Sequence, residues 1–304
     1  MFQTIIFSLI FINFGIANTF YTSMGECTLE IYGGRVEDIP DIVHLVKKES
    51  ENLINEFGTI EIRPFSIYIT SNMEEFYKKS KGPVPEWGIA VAKSNPDRII
   101  LKSPGIANVS FTRMKEVIIH ELNHIYLYRI PHHYSMPSWF KEGMAMRSSN
   151  EFSLVHKIEI SKSQWQKNTL PLTRLQNLNT CIEGKVKLAY GESAAAIEAL
   201  EYYYGPDVLI NILNNMREKI DFQQSLEYSS KDKLIDFEIK FEAYLKNNYN
   251  WVFLFRSPKY VYVILPIILV LGFIYHRYRS KKILKQWEIE EELDNSEWTN
   301  ELPN

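Results

Sequence analysis

Two histidines four residues apart, set in a strongly apolar run, constrain this chain more than any other feature. His120-Glu121-Leu122-Asn123-His124 is flanked by Val117-Ile118-Ile119 and by Ile125-Tyr126-Leu127. The pattern reads as a helix from about Phe111 to Ile130, stopped by Pro131. Positions i and i+4 share a helix face, so both imidazoles project the same way and can share one tetrahedral zinc ion. Flanks this apolar bury the helix, and a buried pair of imidazoles needs a partner such as a metal. Glu121 lies beside them, placed to take a proton from water rather than to bind the metal. The alternative for the same residues is a core helix with two hydrogen-bonded histidines.

A catalytic zinc takes a third protein ligand and keeps one position open. The candidate is Glu142, in Pro137-Ser138-Trp139-Phe140-Lys141-Glu142-Gly143-Met144-Ala145, with seventeen residues between it and His124. The intervening loop, with Pro131 and Pro137, can fold a second helix back against the first. Exposed helix glutamates are common, but Trp139, Phe140, Met144 and Ala145 are unusual surroundings for one, which favours the ligand reading.

Around this motif the chain alternates between short strands and helices. Cys27 to Tyr32 reads as a strand closed by Gly33-Gly34, Ile39 to Phe57 as an amphipathic helix, Phe65 to Ile69 as a strand and Met73 to Lys79 as a short helix. Gly88–Ala92 and Arg98–Leu101 bracket Ser94-Asn95-Pro96-Asp97, a turn signal that predicts a hairpin. Helices follow over Glu192–Tyr204, Asp207–Met216 and Lys231–Leu245. Strands early and helices late predict an α+β fold, not a parallel βαβ sheet.

HELNH followed by SWFKEGMA resembles the gluzincin metallopeptidases, most closely the peptidase MA-like family, whose consensus runs HELTH and then P-x-W-L-x-E-G-[LF]-A. Trp87-Gly88-Ile89-Ala90 with Arg98-Ile99-Ile100-Leu101 is similar to that family's hairpin before the active-site helix. Ala189-Tyr190-Gly191-Glu192-Ser193-Ala194 is similar to its Y-G-[QE]-S helix start, and Tyr204-Gly205 to its closing turn. The likeness covers roughly residues 60 to 250. It implies a zincin-like domain that hydrolyses peptides or proteins, with one zinc held by His120, His124 and Glu142, and Glu121 as general base and acid. It also sets Tyr190 where a hydroxyl could stabilise the tetrahedral oxyanion, the alternative being a tyrosine that packs at a helix start. Two positions depart from the pattern: Asn123 stands where Thr is usual, and Met146 where thermolysin-like enzymes have a carboxylate orienting the first histidine. The partner of His120 is therefore unassigned. His132 and His133 read as exposed or substrate-facing loop residues, His44 and His156 as structural.

The two ends are unlike the middle. Ile5 to Phe14 is apolar and precedes Gly15-Ile16-Ala17, which reads as a signal peptide over residues 1–17 or as an uncleaved N-terminal anchor. Tyr260 to Tyr275 is an apolar run bounded by Lys259 and Arg277, expected to cross a lipid bilayer as a transmembrane helix over 259–276. Arg277, Arg279, Lys281, Lys282 and Lys285 crowd its far side, which predicts a cytoplasmic tail over 277–304 and an extracytoplasmic peptidase domain over 18–250. Trp251 to Phe255 reads as an interfacial aromatic stretch. Cys27 and Cys181, the only two cysteines, can form one bridge in such a compartment or stay as free thiols. The net charge of -3 gives no basic surplus, so a nucleic-acid partner has no support. A membrane-anchored zinc peptidase is the main reading. The alternatives are a tethered zincin-fold scaffold without turnover and a zinc hydrolase of a non-peptide bond.

Overall fold

The computed structural model of the chain describes residues 16–33, 35–81, 88–178, 185–250 and 258–300. Two compact units are present, residues 1–249 and 250–304.

The first unit begins with a hairpin of β1 (Ile16–Thr22) and β2 (Gly25–Ile31), paired antiparallel with Thr22 opposite Gly25. Gly25 adopts φ 128°, and a Cβ there would lie 2.3 Å from the carbonyl oxygen of Arg63, so only glycine fits the turn. α1 (Ile39–Phe57), β3 (Phe65–Thr70), α2 (Met73–Ser80), β4 (Ala90–Lys93) and β5 (Arg98–Lys102) follow. They complete one mixed sheet of order β1-β2-β3-β5-β4. The predicted hairpin is present, with β4 antiparallel to β5 and Lys93 opposite Arg98. The expectation against parallel pairing is corrected: β2, β3 and β5 run parallel, with α1 and α2 as crossover helices between them. The strand–helix–strand alternation from Cys27 to Leu101 carried that signal, since parallel neighbours need a crossover. β1 was not anticipated; Ile16 and Ala17, at the expected signal cleavage point, pair in it with Ile31 and Glu30.

α3 (Pro104–Ala107) leads into α4 (Phe111–Tyr128), whose first turn is capped by the Ser110 hydroxyl accepting from the Arg113 amide at 3.1 Å. α4 buries Met114, Val117, Ile118, Leu122, Ile125, Tyr126 and Leu127, and packs on α1, β4 and β5. Its far end is pinned by Arg129, whose guanidinium donates to Asp97 Oδ2 at 2.8 Å and to the carbonyls of Met24 and Arg63. Both charges are shut off from water, so this pair fixes the helix against the β4–β5 turn and the β1–β2 turn.

The helical half consists of α5 (Ser138–Ser149), α6 (Leu154–Trp165), α7 (Val186–Tyr204), α8 (Val208–Arg217), α9 (Phe222–Ser230) and α10 (Leu234–Asn248). α6 and α9 were not read from the sequence. α7 begins six residues before the expected Glu192, so Tyr190 and Gly191 lie inside a helix and not at its start. α5 and α7 meet at Gly143, where a Cβ would fall 2.4 Å from the Ser193 carbonyl oxygen. Trp139 and Phe140 fill the space toward Phe222, and Trp139 also meets Phe237. Cys27 is a buried thiol in β2, free among the described residues, and burial pushes its pKa far up. Cys181, Trp87, the expected signal residues 1–15 and the stretch 251–255 lie outside the described residues.

The second unit carries α11 (Pro258–Asn300), with Pro266 inside it. The segment expected to span a bilayer is helical, but among the described residues no helix is long and apolar enough to cross a membrane. The transmembrane helix over 259–276 is thus unsupported. Sixteen residues from Tyr260 to Tyr275 rise only about 24 Å, against about 30 Å of hydrocarbon core. The helix then runs on into the basic residues from Arg277 onward.

Candidate metal centre

α4 and α5 bring the sequence-predicted ligands together. His120 and His124 lie one turn apart on α4 with ring centroids 4.9 Å apart. Glu142, on the second turn of α5, places one carboxylate oxygen 3.3 Å from His120 Nε2 and 3.5 Å from His124 Nε2. All three donor atoms lie within 4.8 Å of one another. Zinc–ligand distances of about 2.0–2.1 Å in a tetrahedron put neighbouring donors about 3.3–3.4 Å apart. The two carboxylate–imidazole separations lie within about 0.1 Å of that span, so the residues fit one zinc ion. The close approach at Gly143 belongs to the same construction, because it lets α7 press α5 inward beside Glu142.

The electrostatics suit a cation. Burial opposes the charged form of His120, but the hydrogen bonds and charges of Glu142 and Glu151 outweigh it and raise its pKa well above the ordinary value. Burial likewise works against the Glu142 carboxylate, and the charge of His124 with the hydrogen bonds of both imidazoles holds it far below the usual range. Negative charge that keeps a proton on an imidazole also favours a metal ion in the proton's place.

The orienting partner of His120, left open by Met146, is Glu151. Its Oε2 lies 2.5 Å from His120 Nδ1, and the Ser149 hydroxyl donates to the same oxygen at 2.6 Å. Arg113 reaches the other oxygen at 2.5 Å. Burial raises the Glu151 pKa, yet His120, Ser149 and Arg113 together bring it down to about 2. Glu151 arrives by a left-handed residue, Asn150 (φ 56°), that ends α5 and turns the chain back toward α4. Met146 is buried in the core instead. Asn123 binds Ser148, its Nδ2 donating at 2.9 Å, and so ties α4 to α5.

Glu121 is buried on the neighbouring part of α4, beside the backbone of edge strand β4 at Ala92. Burial pushes its carboxyl up, partly offset by the two imidazoles. Tyr128, one turn beyond His124, stacks its ring on that imidazole at 6.2 Å and 17°. Sequence reasoning passed over Tyr128 and Glu151; the i+4 spacing marked the former, while nothing local marked the latter. His133 packs against Tyr128 at 5.8 Å, and His156 caps α6 through Ser153. Tyr190 lies half-buried inside α7 and not at its start.

Residues 47–247 match the Peptidase MA superfamily. No curated protein matches the chain. Among solved structures it is similar to an aminopeptidase N family protein from Idiomarina loihiensis, with 14% identity and a TM-score of 0.47 over 78% of this chain and 47% of that one. It is also similar to an M1 zinc metallopeptidase from Deinococcus radiodurans, with 13% identity and a TM-score of 0.43 over 76% and 52% of the two chains. The chain thus spans about half the length of the structures it matches.

Proposed function

The chain belongs to the Peptidase MA superfamily, and on that premise we propose that it is a zinc-dependent peptidase. The observation that carries the proposal is the convergence of His120, His124 and Glu142 beside the buried Glu121. His120 and His124 would hold zinc through Nε2, and Glu142 through its carboxylate. When bound, zinc supplies a Lewis acid that polarises a scissile carbonyl and lowers the pKa of a water molecule.

The remaining work falls to the chain's own residues. Glu121 takes the proton of the attacking water and passes it to the leaving amine. Its raised pKa brings it closer to neutrality, where a general base is most effective. Glu151 keeps the His120 ring in the tautomer with a proton on Nδ1 and leaves Nε2 free to ligate. Tyr190 is assigned the hydroxyl that meets the developing oxyanion, on the resemblance alone. Tyr190→Phe removes only that hydroxyl, and an unchanged kcat would withdraw the role.

The location rests on sequence. Ile5 to Phe14 supports export, which places the catalytic unit outside the cytoplasm. The run from Tyr260 to Tyr275, whose side chains from Leu265 to Tyr275 include many exposed apolar groups, supports attachment to a bilayer, with the basic residues after it on the cytoplasmic side. Release by carbonate washing would remove the attachment, and a C-terminal reporter active only outside would reverse the orientation.

Metal analysis of the full-length protein and Glu142→Ala, with hydrolysis of a quenched peptide library before and after chelation, tests the activity. One zinc per chain, lost in the variant, and chelator-sensitive cleavage are expected. Equal zinc in both proteins would take Glu142 out of the site, and cleavage indifferent to chelation would end the zinc-peptidase reading.

A further inference from the structure

The face of the sheet away from α4 carries groups that peptide hydrolysis does not use. Side chains alternate along β3 and β5, so Ile67, Ile69, Ile99 and Leu101 enter the main core while Tyr68 and Arg98 lie on the opposite face. α2 packs on those two strands. A cavity of about 470 Å³ opens there, lined among the described residues by Lys78, Lys79, Lys81 and Arg98 with Tyr32, Tyr68 and Glu75.

The charges around this cavity are not balanced. Lys79 is committed: its ammonium lies 3.9 Å from the Tyr68 ring centroid, 4.7 Å from that of Tyr32 and 3.5 Å from Glu30. Glu75 is committed as well, accepting from the Ser71 amide at 2.9 Å and the Ser71 hydroxyl at 3.2 Å. Lys78, Lys81 and Arg98 have no side-chain ion pair or hydrogen bond among the described residues. The Arg98 Nε–H is moreover shielded from solvent with no acceptor, an arrangement that native proteins avoid. Lysines in the last turn of a helix complement its dipole, which accounts for Lys78 and Lys79 on α2. It does not account for an arginine on a strand.

We propose that this cavity binds a ligand bearing a phosphate group, with Arg98 as its anchor and Lys78 and Lys81 closing around it. A guanidinium presents a planar fork of donors that matches phosphate oxygens, and lysines add point charges. The volume lies within the usual range for small-molecule sites and leaves room for the body of a ligand against Tyr32 and Tyr68. A soluble phosphate ester and an anionic lipid headgroup offer the same chemistry. The site is independent of the zinc centre and does not depend on the peptidase reading.

The test is calorimetric titration of the full-length protein with inorganic phosphate and with glycerol phosphate, at an ionic strength held constant with chloride. One saturable site is expected, weakened at least tenfold by Arg98→Gln. Lys78→Gln and Lys81→Gln, at exposed positions, are expected to weaken it about threefold or more each by removing one phosphate-facing charge, and they serve if Arg98→Gln fails to fold. Cosedimentation with phosphatidylcholine vesicles, with and without phosphatidic acid, separates the sources. Binding that increases with phosphatidic acid and falls in the lysine variants assigns a headgroup, whereas saturable glycerol phosphate binding without that increase assigns a soluble ester. No saturable binding in either arm, or binding that all three variants leave unchanged, overturns the proposal.

Discussion

Replacing Glu151 separates an orienting role from mere proximity. One oxygen accepts from His120 Nδ1 at 2.5 Å and from Ser149 at 2.6 Å, while the other meets Arg113 at 2.5 Å. A hydrogen bond to a charged group contributes about 1.5–3 kcal/mol and a neutral one about 0.5–1.5 kcal/mol. Glu151→Gln keeps the shape and can still accept from Nδ1–H, so it loses only the difference. That is about 1–1.5 kcal/mol, or roughly tenfold in zinc affinity. Glu151→Ala also strips Nδ1–H of its partner and leaves Arg113 only Glu116, a loss of about 2–3 kcal/mol or roughly 30- to 150-fold. Competition with a chromophoric chelator measures the zinc affinity, and circular dichroism shows whether the fold survives. A folded Glu151→Ala variant with wild-type zinc affinity would refute the reasoning.

Three further outcomes follow from the packing. Arg129→Met takes one charged donor from the buried Asp97, which keeps Arg63 at 3.0 and 3.2 Å, and removes the donor to the Met24 carbonyl. The change should cost about 1.5–3 kcal/mol and lower the urea midpoint; a shift equivalent to less than about 0.5 kcal/mol contradicts the pinning role. Gly143→Ala sets a Cβ 2.4 Å from the Ser193 carbonyl oxygen and 2.6 Å from the Ile197 side chain. It should destabilise by about 1–3 kcal/mol and weaken zinc binding through Glu142, whereas unchanged melting would mean that α5 and α7 can separate freely. Glu192 is buried on α7, and burial raises its pKa from 4.5 to about 8 despite the Leu170 amide that donates to it and the charge of Lys185. Between those values the native state keeps a proton that the unfolded chain releases, so stability should fall as pH rises through the window. Glu192→Gln should flatten that slope, and denaturation curves at pH 5 and 8 that shift equally in both proteins would contradict the assignment.

The legible parts of the chain are those whose physics is local. The spacing of His120 and His124 fixes a shared helix face without help from the rest of the fold, and the apolar neighbours of Glu142 set it apart from a surface glutamate. Ser94 to Asp97 marked the β4–β5 turn for the same reason. The parallel pairing of β2, β3 and β5 was misjudged because it depends on crossovers rather than adjacent segments. Glu151 was hidden because it reaches His120 past the end of α5, through the left-handed Asn150, and not at one-turn spacing from Glu142. The start of α7 was misplaced in the other direction: the motif around Tyr190 was read as a helix start, but six more residues of helix precede Glu192 than expected. The run from Tyr260 to Tyr275 was read on hydrophobicity, a local property, whereas crossing a bilayer also depends on length.

The central claim is that Glu121 moves the proton while His120, His124 and Glu142 hold the metal. The most direct measurement is turnover of a quenched-fluorescent peptide by Glu121→Gln and by the unaltered chain, compared at equal zinc occupancy. A general base contributes about 100- to 10,000-fold, so the variant should carry one zinc and lose activity by at least the lower figure. Near-equal turnover by the two zinc-loaded proteins would contradict the account.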